Sequence, residues 1–376
     1  SGIDQWLEDP DHREAGIRLQ KLMFDTVSEI GRVAERESID CHYERSGALE
    51  VAVIPAQLAR LREELEHVRG LGFGEDDYRW LPLGEIQDTL RIDHALAGIH
   101  MRHCAAIHPS RLARGLAETL AGMGVRIFEN SPVTTLRENT LTTPGGRIRA
   151  DRVIVATEGY SDSIAGRKRR LIPVHSMMVV TEPLANSQLD EINFHKRYCF
   201  GNIDRLVTYG QLTHDKRIAF GCRGTYHYGS GIRVFEPGDP GFGSVSETLL
   251  RFFPGLEGVH FTHRWGGAMG VSRTLQPSVN YDSERRFGWA GGFFGNGVGA
   301  THLAGQTMAD LVLGNETERT ATPWVNPPGR NRNWEPEPLR WLGIKARAKL
   351  MQLSDRAEYG NSPMAPVYRG MLNSLF

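Results

Sequence analysis

Apolar and polar positions along this chain follow two periods, and the switches between them divide it into segments. Near the start, Met23, Val27, Ile30 and Ala34 recur at helical spacing, which predicts a long helix with Asp9 as N-cap and Pro10 as first helical residue. A strand from Leu49 to Ile54 leads through Pro55 into a charged helix ending near Gly70, and Pro109 to Met123 reads as another helix closed by Gly124. Val125 to Phe128, Val133 to Arg137 and Arg147 to Thr157 then read as strands, the last preceded by a Pro144-Gly145-Gly146 turn. Val153-Ile154-Val155 is apolar at every position, the pattern of a strand buried on both faces of a parallel sheet. It runs into Ala156-Thr157-Glu158-Gly159, a glycine turn at a strand's carboxyl end, where open α/β sheets place ligands.

Between Pro173 and Gly270 the texture changes to alternating, aromatic-rich strands. His175 to Thr181 alternates, and Arg205 to Gly210 and Arg217 to Gly221 flank the turn Thr213-His214-Asp215-Lys216, as in an antiparallel hairpin. This stretch is expected to form a substrate-facing sheet. Trp265-Gly266-Gly267 and then Ser272 to Val279 lead back to the first part of the fold. There the segment Gly288 to Gly314, GWAGGFFGNGVGATHLAGQTMADLVLG, combines a short apolar strand, glycines at 295, 297 and 299, and a helix carrying Ala304, Met308, Leu311 and Val312 at helical spacing. Glycines in such a turn accept positive φ and let a ligand approach the main chain. The new helix directs unpaired N–H groups and a partial positive charge at the same place, so the segment reads as a cradle for an electron-rich cofactor group.

Gly295, Gly297 and Ala300 also satisfy the dinucleotide pattern G-x-G-x-x-[G/A]. That pattern works only when a second parallel strand follows and ends in an acidic residue that holds a ribose. Here Asn315 to Arg319 and the proline-rich Pro323 to Pro338 follow instead, and Glu316 and Glu318 do not end a buried strand. A different cofactor contact is the better reading.

Composition narrows the classes. A chain of 376 residues can bury a large core and hold two domains or an interleaved pair. Its 44 Lys and Arg against 45 Asp and Glu leave a formal charge of -1, so no nucleic-acid partner is expected. The basic run Arg167 to Arg170 reads as a solvated face. No apolar window is long enough for a membrane span and no signal-peptide pattern opens the chain, which makes the cytoplasm the expected compartment. Cys41, Cys104, Cys199 and Cys222 are widely spaced and read as reduced and mostly buried, and the histidines lack metal-site spacing, with His108 and His302 equally suited to cap, turn or core positions. No metal is expected. A G-x-S-x-G elbow is absent. The tail from Leu342 to about Glu358 alternates basic and apolar residues and is expected to pack on the protein's own surface rather than on a membrane.

The ordered motifs IHPSRLARGLAETL, GVRIFENSPVTTL, DRVIVATEGYSDSI, RLIPVHSMMVVTEPL, RWGGAMGVSRTLQPSV and WAGGFFGNGVGATHLAGQTMADLVLG span nearly the whole chain. In that order they resemble the FAD-dependent glycine/D-amino-acid oxidase (DAO) family. The resemblance implies an α/β (α+β mixed) fold: a Rossmann-like FAD-binding domain, truncated at its N-terminus, interleaved with an antiparallel-sheet substrate domain. The expected division is residues 1–48, 105–172 and 262–330 for FAD, 49–104 and 173–261 for substrate, and 331–376 as a helical tail. Relatives open with a strand, a GxGxxG turn and a helix that hold the ADP half of FAD. This chain begins at Ser1 without them, and is expected to be a piece of a longer flavoprotein.

Carried over residue by residue, the resemblance implies that Val133 meets the adenine, that Ala156, Thr157 and Gly159 form the turn beside the cofactor, and that Gly266 and Gly267 adjoin it. Gly295, Asn296, Gly297, Val298 and Gly299 would face the flavin ring, where the helix N-terminus favours the anionic charge of reduced flavin. The implied chemistry is oxidation of a C–N bond in a small amine or amino acid, with noncovalent FAD, since no cysteine lies between Gly266 and Ser272. Arg223 is a candidate carboxylate clamp or a surface arginine, and Tyr209, Trp265 and Phe294 are pocket walls or ordinary core aromatics. Two alternatives stand beside this reading: an inactive remnant that does not hold FAD stably, and a nicotinamide-dependent dehydrogenase built on the Gly295 turn.

Overall fold

The computed structural model describes residues 4–222, 224–295, 297–325 and 332–375. Its largest sheet has eight strands in the order β12-β8-β11-β10-β9-β1-β3-β2. These are β1 (Ala48–Ala52), β2 (Tyr78–Pro82), β3 (Ala97–Met101), β8 (Leu171–Thr181), β9 (Cys199–Asn202), β10 (Thr208–Leu212), β11 (Ile218–Cys222) and β12 (Phe261–Ser272). All neighbours pair antiparallel except β1 and β9, and the expected hairpin is β10–β11. Period-two alternation sorts the two faces. Leu49, Val51, Phe200, Phe220 and Val179 bury one face against α4 (Leu83–Thr89), α6 (Asn186–Glu191) and α7 (Gly241–Phe252), whose Ile86, Leu189, Val245 and Leu249 complete that core.

The opposite face looks toward a second body. There α2 (Arg13–Arg36), α3 (Pro55–Gly70) and α8 (Gly297–Leu313) share a core built on Leu19, Phe24, Leu61, Leu65, Leu303 and Met308, closed by the buried Trp324. Behind α8 lies a three-stranded sheet in the order β13-β14-β7, with β7 (Val153–Val155) parallel to β14 (Phe287–Gly291) and β13 (Ser278–Asp282) antiparallel to it. A third sheet, β4 (Thr135–Arg137), β5 (Thr140–Thr143) and β6 (Gly146–Arg149), turns at Pro144-Gly145 as expected.

Several expectations fail for identifiable reasons. The long helix starts at Arg13 with His12 as N-cap, after the short α1 (Asp4–Glu8). Asp9 engages the Asp11 N–H and the His12 ring, at 3.0 and 2.8 Å, and so holds Pro10 in a turn ahead of the helix. Val125 to Phe128 form no strand, because no described backbone lies beside them to complete a ladder, and Phe128 is 70% exposed. Ile154 is 46% exposed although Val153 and Val155 are buried, because alternate residues point to opposite faces and no described element covers the face of Ile154. The helix α5 (Pro109–Gly122) has no buried residue. The predicted strand at Val133 begins only at Thr135, and the one from Arg147 to Thr157 breaks at residues 150–152. The basic run is not simply solvated. The Arg167 guanidinium lies 4.3 Å over the Phe287 ring, where burial and then Arg170 push it down to about 10, and Arg169 donates to the Trp334 carbonyl at 3.2 Å.

The tail packs on the protein itself, through α9 (Leu339–Tyr359) followed by α10 (Ala365–Leu375). The buried Glu358 carboxylate accepts from Arg60 at 2.7 Å and lies 2.8 Å from Arg205, while Tyr359 accepts from Gln57 at 3.0 Å. Burial pushes the Glu358 carboxyl up, but the bonds from Arg60 and Arg205 outweigh it and hold it below its ordinary range. A carboxyl depressed in the folded state stabilises at pH values above its unfolded pKa, and the contribution fades as pH falls through the folded one. Glu358→Gln is therefore expected to cost about 2 kcal/mol in urea unfolding at neutral pH, and the gap from wild type should close in acid. An equal gap at both pH values would contradict the ion pairing.

Candidate active site

The turn after β14 reverses the chain within a few residues. Gly292 (φ 82°), Phe294 (φ 39°) and Gly295 (φ 103°) all lie in the left-handed region, which glycine enters freely and phenylalanine does not. Helix α8 begins at once with Gly297, and its first N–H groups lack intrahelical partners. Phe294, Gly295, Gly297, Val298 and Gly299 line a cavity of ≈880 Å³. Met23 and Val27 of α2, Glu50 of β1, Cys104 and Ala105 after β3, and Ala268 and Met269 of β12 supply other walls.

Glycines around this space fall into two kinds. A Cβ built on Gly267 or Gly297 meets no heavy atom within 4 Å, and one on Gly299 meets only the Met23 methyl at 3.9 Å. No protein neighbour requires glycine there, so these positions leave room for a flat group to lie against main chain. Gly159 differs: its Cβ would sit 2.9 Å from the Ala268 carbonyl oxygen, so it lets the turn after β7 press on β12. Gly266 faces the opposite side of β12, against Phe235, because alternate residues of a strand point to opposite faces.

One residue ties these turns together. Glu158, itself at φ 41°, accepts from the Phe293 N–H at 2.9 Å through Oε1, and its Oε2 is buried against Gly270. Burial pushes its carboxyl up, and the N–H groups of Phe293, Gly292 and Gly270 offset that only in part. Glu158→Ala leaves the buried Phe293 N–H unpaired and is expected to cost about 2 kcal/mol. Glu158→Gln keeps the acceptor without the charge and should match wild type. A carboxyl raised in the folded state stabilises below its unfolded pKa and ceases to do so as pH rises through the folded one. Thermal unfolding on alkaline titration should accordingly favour the Gln variant over wild type; a wild-type advantage that grows with pH would refute the assignment.

Tyr209 and Trp265 are brought into one row. Tyr209 opposes Gly221, Gly221 opposes Met178, and Met178 opposes Trp265, so all four lie on the face that carries Gly267 and Met269. Thr157 is engaged with Ser161, hydroxyl to hydroxyl at 2.9 Å, and neither it, Ala156, Gly159 nor the half-buried Val133 lines the cavity, nor do Tyr209, Trp265, Gly266 and Gly267. Arg223 and Asn296 lie outside the described residues. His108 serves as the N-cap of α5, accepting from the Arg111 N–H at 3.4 Å. Among the described residues no cluster of His, Cys, Asp and Glu could hold a metal, and no helix is long and apolar enough to cross a membrane.

Sequence reasoning passed over Glu158, Met269, Cys104 and Glu50. Glu50 had a signal, a lone carboxylate within the apolar strand Ala-Leu-Glu-Val-Ala. It opens on the cavity while protein surrounds it, and burial, reinforced by Glu64, pushes it up to about 7. Glu158 occupied the variable position of a turn, and nothing in its spacing pointed to Phe293.

Known proteins resemble this chain in sequence and in fold. The family described as DAO, FAD dependent oxidoreductase, matches residues 3–311. Gamma-glutamylputrescine oxidoreductase of Escherichia coli (strain K12) is 30% identical over 303 residues, which cover 79% of this chain and 68% of that protein. Glycine oxidase from Geobacillus kaustophilus superposes with a TM-score of 0.68 at 20% identity, covering 84% of this chain and 83% of that one. L-proline dehydrogenase from P. horikoshii superposes with a TM-score of 0.67 at 17% identity, covering 83% of each.

Proposed function

The chain belongs to the DAO family of FAD-dependent oxidoreductases, and from that premise we propose that it oxidises the C–N bond of a small amine or amino acid in the cavity bounded by Gly295–Gly299 and β12. FAD, when bound, supplies the acceptor for a hydride from the carbon bearing the amine, leaving an imine that water hydrolyses. The protein's part is positioning and electrostatics. The N-terminus of α8, presented by Gly297 and Gly299, aims main-chain N–H groups and a positive helix end into the cavity, and so favours negative charge there without reorganisation. Gly297 and Gly299 leave space for a planar ring. Glu158 and Gly159 hold the turn after β7 against β12. Phe294 walls the cavity, and Tyr209 and Trp265 share the sheet face that carries Met269 of its wall. Residues 1–48, 105–172 and 262–330 serve the cofactor, and 49–104 with 173–261 serve the substrate.

The observation that carries this reading is the open pair Gly297 and Gly299 in the first turn of α8, on the wall of a cavity that Ala268 and Met269 of β12 also line. Anaerobic mixing of the FAD-loaded protein with amines and amino acids tests it. One class should bleach the visible flavin band; a band unmoved by every amine while another reductant class bleaches it would overturn the assignment.

A second reading has its own support. Ile154, Ile127, Phe128 and Val125 are exposed apolar side chains, and among the described residues no parallel strand follows α8. On this reading the 376-residue chain holds the flavin-ring side of the site and does not retain FAD on its own. Adding FAD to the purified chain, and to one extended upstream, separates the two: visible absorbance retained only by the longer chain would establish the second.

A further inference from the structure

Two of the four cysteines meet at the cavity wall, although they lie far apart in the sequence. The Gly47 N–H donates to the Cys104 carbonyl at 3.1 Å, and the Gly47 carbonyl accepts from the Cys199 N–H at 3.0 Å, so both residues are fastened to one glycine at the entry to β1. The Cys199 thiol donates toward the carbonyl oxygen of Ala105, the residue after Cys104, at 3.8 Å, which brings its sulfur beside Cys104. Cys104 also lines the cavity, which gives a small solute a route to it. Cys41 and Cys222 have no such neighbour: Cys41 packs with Ala34 and Ile39, and Cys222 packs against the core beneath the large sheet.

We propose that Cys104 and Cys199 form a redox dithiol that closes to a disulfide when hydrogen peroxide enters the cavity. The Cys104 thiolate attacks the peroxide, the O–O bond breaks, and water leaves with Cys104 as a sulfenic acid. The Cys199 thiolate then attacks the Cys104 sulfur, the S–O bond breaks, and a second water leaves. Two thiols are oxidised, one peroxide is reduced to two waters, and no other reductant is consumed. The roles follow from access: Cys104 lines the cavity and Cys199 does not, and in the same sense the proximity of the two thiols lowers the pKa of Cys104 and raises that of Cys199. The crosslink joins the loop after β3 to the start of β9, and so fixes the wall formed by Cys104 and Ala105.

Treating the folded protein with equimolar hydrogen peroxide, alkylating the remaining thiols and mapping the peptides tests this. The expected result is a fall from four alkylatable thiols to two, a peptide joining Cys104 to Cys199, and full recovery with dithiothreitol. Cys104→Ser and Cys199→Ser should each abolish the joined peptide, and Cys222→Ser should leave it intact. Wild-type mapping stands without the variants, so a misfolded variant does not decide the matter. Cys104 recovered as sulfinic acid with Cys199 still alkylatable, all four thiols unchanged, or a disulfide to Cys41 or Cys222 would each overturn the proposal.

Discussion

Gly267→Leu is expected to leave the fold intact and abolish flavin binding. The Cβ position at Gly267 is free of protein atoms within 4 Å, so a leucine there starts in open space, on the face of β12 that carries the cavity-lining Met269. Thermal unfolding without cofactor should match wild type within about 0.5 kcal/mol, as for substitutions that make no new core contact. FAD affinity should fall at least ~100-fold, a loss of about 2.7 kcal/mol. The comparison is best made by flavin fluorescence titration of whichever form, the chain alone or one extended upstream, retains FAD. Undiminished affinity would mean that the flavin ring lies elsewhere.

Gly159→Val should fail in the opposite way. Its Cβ would lie 2.9 Å from the Ala268 oxygen and 3.1 Å from the Ala268 carbonyl carbon, and those are main-chain atoms of a long edge strand held along its length by pairing with β8, which cannot swing aside as a side chain can. Overpacking of this kind costs about 3 kcal/mol. Because the turn after β7 and β12 then separate, FAD binding should fall together with stability. Urea unfolding read alongside flavin retention distinguishes the two glycines; a Gly159→Val protein as stable as wild type would show that this contact is not tight.

The pair also shows what the sequence made legible. Both glycines sit in motifs that the resemblance picked out, and both were assigned to the cofactor for the same reason. Only the fold separates one that keeps space open from one that closes a contact, since that depends on what lies across the gap. Strand alternation in turn sends Gly266 to the far face, a distinction that two adjacent glycines do not advertise. The strand-turn-helix at Gly288–Gly314, the Pro55 helix and the β10–β11 hairpin were readable because each is local in origin. Val125 to Phe128 was misread because a strand's pattern does not supply its neighbour. The Glu158 link to Phe293 and the meeting of Cys104 with Cys199 are long-range contacts between positions whose own periodicity is unremarked.

The central claim is that the Gly295–Gly299 turn and the first turn of α8 face a flavin ring. Amide hydrogen exchange read with and without FAD tests it most directly, in a form of the protein that retains the cofactor. The account predicts slowed exchange at Gly297, Val298 and Gly299 and at Gly267 to Met269 with FAD, and none with NAD. Protection of those amides by NAD, or bound FAD that leaves them unprotected, would contradict it.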